Sequence, residues 1–381
     1  MSLAGAQNAV VGVVESRTAA AGALEYSVRV ERALKGSPGE RVTLRSAFTS
    51  CQVQLTVGAR VGLLYDAGGE IFACSTSDPE TLIAASELPA PSGTARLVAA
   101  VTGVRGTDTV QLGADGRVAG YGVAQGQVLA QSRCATDGVV QALRGADGRV
   151  RLARTSAGGF SGSTAVPVRD AVAVGCTGQG DRLWAVGRRD GEMVLLSVRH
   201  GRVRERMHRR ADAAAIVGSR AYFAHGRLVR IVPLTGGRLR SARIRGEFTS
   251  ISGYGHRVAG RLRDGRSAVL DVRSGKLVTG AGGRLTWLDD DRLLGADGVY
   301  DTRLRRLRAV STRGALVGVD DGAAFFSDGD VLYRLAPGAR RATRFAQLPG
   351  SVTSVVTAPR AFASRASWHS CEESAKQPLT T

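Results

Sequence analysis

The chain of 381 residues carries 52 lysines and arginines against 33 aspartates and glutamates, a formal charge of +19, and contains 43% hydrophobic residues and 50 glycines. This composition supports a buried core and excludes collagen, a coiled coil and wholesale disorder. The length exceeds the roughly 250 to 300 residues at which a single core stops growing, so at least two domains are expected, and no stretch approaches the roughly 18 uninterrupted apolar residues of a membrane span.

The charge is unevenly placed. Residues 1–90 hold seven bases and nine acids, so all of the positive excess lies beyond residue 90. Nearly all of it is arginine, because the only lysines are Lys35, Lys276 and Lys376. A basic surface favours polyanionic partners. Nucleic acid is disfavoured, since aromatics for base stacking are sparse at 9 Phe, 7 Tyr and 3 Trp. An unknown protein or an anionic polymer of the cell envelope is the expected partner, bound by a monomer.

In chain order, Asn8 to Val14 is an apolar run, and Leu24 to Ala33 alternates apolar Tyr26, Val28 and Val30 with polar Ser27, Arg29 and Glu31, which predicts two strands. Lys35 to Gly39 is a turn, Arg41 to Arg45 alternates again, and Val61 to Tyr65 is apolar before Gly68-Gly69. Five or so short strands in this space predict a small closed barrel.

The order Val-Gly-x-Val, Tyr26 to Gly36 (Tyr-x-Val-x-Val-Glu-x-x-Leu-Lys-Gly), Cys51, Leu55 to Gly58 (Leu-x-Val-Gly), a short apolar strand and Cys74 resembles the netrin-like domain. That is the OB-type barrel of the tissue inhibitors of metalloproteinases, in the form found in secreted bacterial proteins. The resemblance implies that Cys51 and Cys74 stand where the family places partner cysteines, so here they are either free or paired with each other. Family inhibitors chelate the protease zinc through the first cysteine of an N-terminal Cys-x-Cys. No cysteine precedes Cys51, so inhibition would require a native N-terminus bearing that pair. Residues 6–85 are assigned to the barrel.

Ser86 to Gly93 contains Pro89 and Pro91 and lies where the charge balance changes sign, so residues 86–93 read as a linker. Beyond it the chain repeats a rhythm of short strands and glycine turns with a period of about 30 to 45 residues, the internal period of a β-propeller. One unit runs from Ala171 through the turns Asp190-Gly191 and His200-Gly201 to Met207. Asp-Gly and related dipeptides tolerate the positive φ that tight hairpins need. Residues 94–358 are therefore expected to form six or seven blades, resembling WD40-like or quinoprotein-like propellers in fold alone; paired β-sandwiches are the alternative. Ser351 to Thr357 has no hairpin of its own and is expected to close the ring beside Arg96 to Val101. The fold class is thus all-β, a small OB-like barrel followed by a propeller, with residues 359–381 a tail that is disordered or laid on the barrel by Cys371.

Cys134 and Cys176 are 42 residues apart, close to one blade period, and form either a disulfide between neighbouring blades or two buried thiols. Paired cysteines fit an oxidising compartment, extracellular or in the envelope. Export rests on this alone, since Met1 to Gly5 shows neither a basic nor an apolar leader segment.

The sequence carries few motifs of catalytic or metal chemistry. No cysteine or histidine stands at zinc-ligand spacing, and no P-loop, nucleophile elbow or dinucleotide fingerprint occurs. Ala157 to Gly162 reads as a flexible connection, and Asp289-Asp290-Asp291 lacks the oxygen spacing of a calcium loop. No catalytic, cofactor-binding or metal residue and no cofactor is assigned. The densest basic cluster is Arg202, Arg204, Arg206, His208, Arg209 and Arg210; on a strand, Arg204, Arg206 and His208 would share one face. The expected function is a secreted or envelope-associated, non-enzymatic binding protein with the propeller as platform. The alternatives are a hydrolase or lyase acting on a sugar or lactone, with acids or histidines converging in the central channel, and the metalloprotease inhibitor above.

Overall fold

The computed structural model describes residues 6–20, 22–47, 52–71, 76–88, 92, 94–103, 107–123, 126–134, 138–156, 159–178, 182–320 and 322–358. Cys51, Cys74, Cys371, Pro89 to Pro91 of the linker and the whole 359–381 tail lie outside the described residues. The chain divides into two units, the first essentially residues 1–91 and the second essentially residues 92–363.

In the first unit, β1 (Asn8–Ala20), β2 (Ala23–Lys35), β3 (Arg41–Ala47), β4 (Arg60–Tyr65) and β5 (Thr76–Ser77) form one sheet in the order β3-β2-β1-β4-β5. The alternation of β1 and β2 sends Val10, Val14, Tyr26 and Val28 inward, where they pack with Leu44, Leu63 and Ile71. Arg45 N–H donates to the Gly69 carbonyl and Ile71 N–H to the Arg45 carbonyl, both at 2.9 Å. These bonds make a parallel bridge from β3 to the segment after β4, so the chain from Gly69 to Ser77 touches both edges of the sheet. The buried Tyr26 hydroxyl donates to the Val53 carbonyl at 2.9 Å and accepts from Leu55 N–H at 3.3 Å.

An all-β reading misses one element. Pro79–Ser86 is a helix, α1, with Pro79 and Glu80 in its first turn. Pro has no N–H to lose there and an acid complements the helix dipole.

The second unit contains seven four-stranded antiparallel sheets among the described residues. β6 (Leu97–Thr102), β7 (Thr107–Leu112) and β8 (Val118–Val123) await a fourth strand from the far end of the chain. The first blade is β9 (Gln127–Arg133), β10 (Gly138–Arg144), β11 (Val150–Ser156) and β12 (Gly159–Val166). β12 corrects the reading of Ala157 to Gly162 as a flexible connection over its described part: Gly159 and Phe160 pair with Ser156 and Thr155 of β11, since glycines do not prevent a strand from joining an existing edge, while Ala157 and Gly158 lie outside the described residues. The second blade is β13 (Asp170–Thr177), β14 (Arg182–Arg189), β15 (Glu192–Arg199) and β16 (Arg202–Arg209); the third is β17 (Ala213–Val217), β18 (Arg220–His225), β19 (Leu228–Pro233) and β20 (Arg240–Arg243). The fourth is β21 (Phe248–Tyr254), β22 (Arg257–Leu262), β23 (Arg266–Asp271) and β24 (Leu277–Gly282). The fifth is β25 (Thr286–Trp287), β26 (Arg292–Leu294), β27 (Gly298–Asp301) and β28 (Arg306–Ala309); the sixth is β29 (Ala315–Asp320), β30 (Ala323–Asp328), β31 (Val331–Leu335) and β32 (Thr343–Gln347). Finally β33 (Ser351–Thr357) pairs antiparallel with β6 and completes the seventh blade, as expected of a ring closed by both chain ends.

Each blade is buried on both faces, so its two residue parities serve two different cores. In β15, Val194, Leu196 and Val198 pack toward the first blade, with Val140 and Leu152, whereas Met193 and Leu195 pack toward the third, with Ile216 and Phe223. The same partition recurs around the ring, through Tyr222 with Val258, Trp287 with Ala259, Phe326 with Leu294, Phe325 with Val352, and Ala100 with Val128. The hairpin turns follow the sequence: Asp190 and Gly191 have φ of 51° and 81°, His200 and Gly201 of 48° and 71°, matching the right-handed strand twist.

Candidate anion-binding site

The innermost strands, β9, β13, β17, β21, β25, β29 and β33, are rich in Ala, Val, Ser, Thr and Gly. Their acids are Asp170 and Asp320, at opposite strand ends. Asp170 lies 3.3 Å from the Arg144 guanidinium, and Asp320 accepts a hydrogen bond from the Thr357 hydroxyl. The polar interior is built from amides: Gln131 donates to the Val98 and Ser354 carbonyls at 3.1 and 3.2 Å, and Gln141 donates to Gln131. Asp289 Oδ1 accepts the N–H groups of Asp291 and Arg292 and its other oxygen meets the Arg292 side chain, so the triple aspartate is a turn with an internal ion pair.

The sulfurs of Cys134 and Cys176 are bonded, with the Cα atoms 5.5 Å apart. Cys134 follows β9 directly and Cys176 lies near the end of β13, so the bridge ties equivalent points of two adjacent innermost strands.

The basic cluster lies on β16, an outermost strand. A register shift makes Arg206 an extra residue, because Leu196 pairs with Glu205 but Leu195 with Met207. The bulge interrupts the alternation and corrects the expected common face of Arg204, Arg206 and His208. Arg202, Arg204, Met207 and Arg209 lie toward the third blade, Met207 packing beside the cluster of Trp184 and Leu195. Burial first, and then Arg209, lowers the pKa of Arg230 in β19. His208 lies on the other side, with Nε2 2.9 Å from Glu192 and Nδ1 3.7 Å from Glu205. Arg210 is 3.5 Å from Glu192, and Arg189 is 2.6 Å from Glu205. Glu192 therefore answers His208 and Arg210, while among the described residues no carboxylate lies in ion-pair range of Arg202, Arg204, Arg206 or Arg209.

A different group of cations converges between the third and fourth blades. A cleft of about 270 Å³ is lined by Arg220, Arg238, Arg240, Arg273, His256, Ser219 and Thr235, with Ile231 and Pro233 as apolar wall. These residues come from the connections between first and second strands (Ser219, His256) and between third and fourth strands (Thr235, Arg238, Arg273), and from the first residues of the strands that follow, Arg220 of β18 and Arg240 of β20. In an up-and-down blade those loops emerge at one end. Among the described residues no carboxylate lies in ion-pair range of any of the four arginines. By contrast, Arg189, Arg266 and Arg313 meet Glu205, Asp264 and Asp328 at 2.6, 2.7 and 2.8 Å.

The floor of the cleft is fixed. The Tyr222 hydroxyl donates to the Gly255 carbonyl at 3.0 Å, and burial pushes its pKa up to about 12, with Arg220 opposing the shift. His256 Nε2 lies 3.3 Å from Asp271, whose other oxygen accepts Arg273 N–H at 2.8 Å and Ser274 N–H at 3.1 Å. Asp271 thus organises the turn that presents Arg273. Sequence reasoning missed this site because its arginines are scattered from Arg220 to Arg273 beside separate glycine turns, with no local run to mark them.

Among the described residues no group of three or more His, Cys, Asp or Glu is placed to hold a metal ion, and no helix is long and apolar enough to cross a membrane. No protein-family model and no curated protein matches the chain. Solved structures similar to it include a chain of a nidogen/laminin complex, with 10% identity, 70% of this chain and 99% of that chain covered, and a TM-score of 0.42. Apo AztD from Citrobacter koseri matches at 12% identity, over 70% of this chain and 98% of that chain, with a TM-score of 0.47. BamB from Moraxella catarrhalis matches at 13%, over 65% and 91%, with a TM-score of 0.40. The β-propeller assignment rests on the strand order described above.

Proposed function

We propose that the chain is a non-enzymatic binding protein of the cell exterior or envelope, in which a netrin-like OB barrel accompanies a propeller that binds an anionic ligand. The observation that carries this reading is the convergence of Arg220, Arg238, Arg240 and Arg273 on one cleft without carboxylate partners among the described residues. The positive excess of the chain beyond residue 90 would draw anions toward it. The Cys134–Cys176 bridge supports an oxidising compartment. For the barrel, support comes from β1 held between β2 and β4 and from the parallel bridge of Arg45 to Glu70.

The test is capture of cell-envelope material by the immobilised full chain against a control protein of matched charge. Specific retention above the control, persisting beyond roughly 0.2 M salt, supports the reading. Retention equal to the control, or loss at that ionic strength, means diffuse charge alone is at work.

A further inference from the structure

We propose that the cleft between the third and fourth blades is a site for a small organic phosphate monoester, an inference that rests on the anion-binding reading and specifies its ligand. A guanidinium presents a planar fork of donors that matches phosphate and carboxylate oxygens, and here four such forks line one depression. A carboxylate brings one charge and two oxygens, which leaves most of them unanswered. A phosphate monoester brings about −1.5 to −2 charges at neutral pH and three strong acceptor oxygens.

The surroundings agree with that choice. Asp271, the acid at the cleft edge, already accepts the Arg273 and Ser274 N–H groups and faces His256, so its charge is spent within the turn. Ser219 and Thr235 add hydroxyl-bearing residues, and Ile231 and Pro233 supply an apolar wall for a carbon skeleton. The volume of about 270 Å³ falls just below the range of roughly 300 to 1,000 Å³ typical of small-molecule pockets, which suits a phosphate with a few carbons attached. The β16 cluster is arranged differently: its bulge divides the basic residues between two faces, and Glu192 meets His208 and Arg210.

The test is calorimetric titration of the full chain with glycerol phosphate, inorganic phosphate, acetate and glycerol at about 50 mM salt. Saturable binding of glycerol phosphate, weaker binding of inorganic phosphate and none of acetate or glycerol are expected. Arg238→Gln/Arg273→Gln should weaken glycerol phosphate binding about tenfold or more, whereas Arg204→Gln/Arg206→Gln, which removes equal charge from β16, should change it less than about twofold. Both pairs are surface substitutions, and equal melting temperatures verify the fold. Absence of saturable binding, equal loss from the two pairs, or inorganic phosphate binding as tightly as the ester would overturn the proposal. Envelope capture that survives Arg238→Gln/Arg273→Gln overturns this site while leaving the wider binding reading intact; absence of capture by the unaltered chain sinks the wider reading.

Discussion

Removal of the Cys134–Cys176 bridge should cost the propeller about 4 kcal/mol. The bridge closes a 42-residue loop. Cross-linking a loop of that length removes about 13 cal/mol/K of chain entropy from the unfolded ensemble, which is about 4 kcal/mol at room temperature. For a unit of this size each kcal/mol corresponds to roughly 2 to 4 °C, so reduction should lower the melting temperature by roughly 8 to 16 °C. Cys134→Ala/Cys176→Ala should reproduce the shift, with a small extra cost because Cys134 is fully buried among Val140, Val150 and Val174. The assay is far-UV circular dichroism melting of the full chain with and without reductant, with thiol titration verifying that the bridge has opened. A shift below about 2 °C after verified reduction would refute the loop-closure reasoning.

Three further outcomes are expected. Thr177→Val leaves the buried Trp184 indole N–H, which donates to Thr177 Oγ1 at 2.8 Å, without its partner, at a cost of about 1 to 3 kcal/mol in urea unfolding, while Thr177→Ser should retain most of it. Gly318→Val should loosen the closed ring, because a Cβ at Gly318 of β29 would stand 2.2 Å from the Val355 carbonyl of β33. A loss of about 1 to 3 kcal/mol and faster proteolysis near residues 351–357 are expected, and an unchanged cleavage rate counts against it. Acid should destabilise the chain. Burial pushes the Asp271, Asp289 and Asp301 carboxyls up, but N–H donors and neighbouring cations outweigh it and hold all three below the usual carboxylate range. Their folded pKa values are depressed, so the stability they add is present above the unfolded value of about 3.9 and lost as pH falls through the folded values. The urea midpoint should be level between about pH 5 and 7 and fall below about pH 4; a decline already under way near pH 6 would point to other groups.

Much of the fold is legible before any coordinate is considered, because it is written in local rules. Period-2 alternation marks the strands, and Asp190-Gly191 and His200-Gly201 mark hairpins by the positive φ those turns demand. The blade period also brings Cys134 and Cys176 to equivalent ends of β9 and β13, and the unpaired apolar stretch at Ser351 to Thr357 foretells its partner β6. Other features are less visible. The helix Pro79–Ser86 is short and adjoins a proline-rich segment, so its apolar residues look like an extension of the linker. The bulge at Arg206 leaves no mark in the amino-acid pattern, yet it moves His208 to the opposite face from Arg204 and breaks up a stripe that strict alternation predicts.

The sequence by itself determined the all-β character, the repeat, the turn positions and the confinement of the positive excess to the chain beyond residue 90. These are properties of neighbouring residues and of composition. Only the tertiary structure decided which cations matter together. In a ring of blades, turns far apart in the chain emerge side by side, so Arg220, Arg238, Arg240 and Arg273 meet at one cleft while the bulge spreads the densest run of arginines in the chain over two faces. Electrostatic convergence depends on distance in space, and the blade geometry sets that distance.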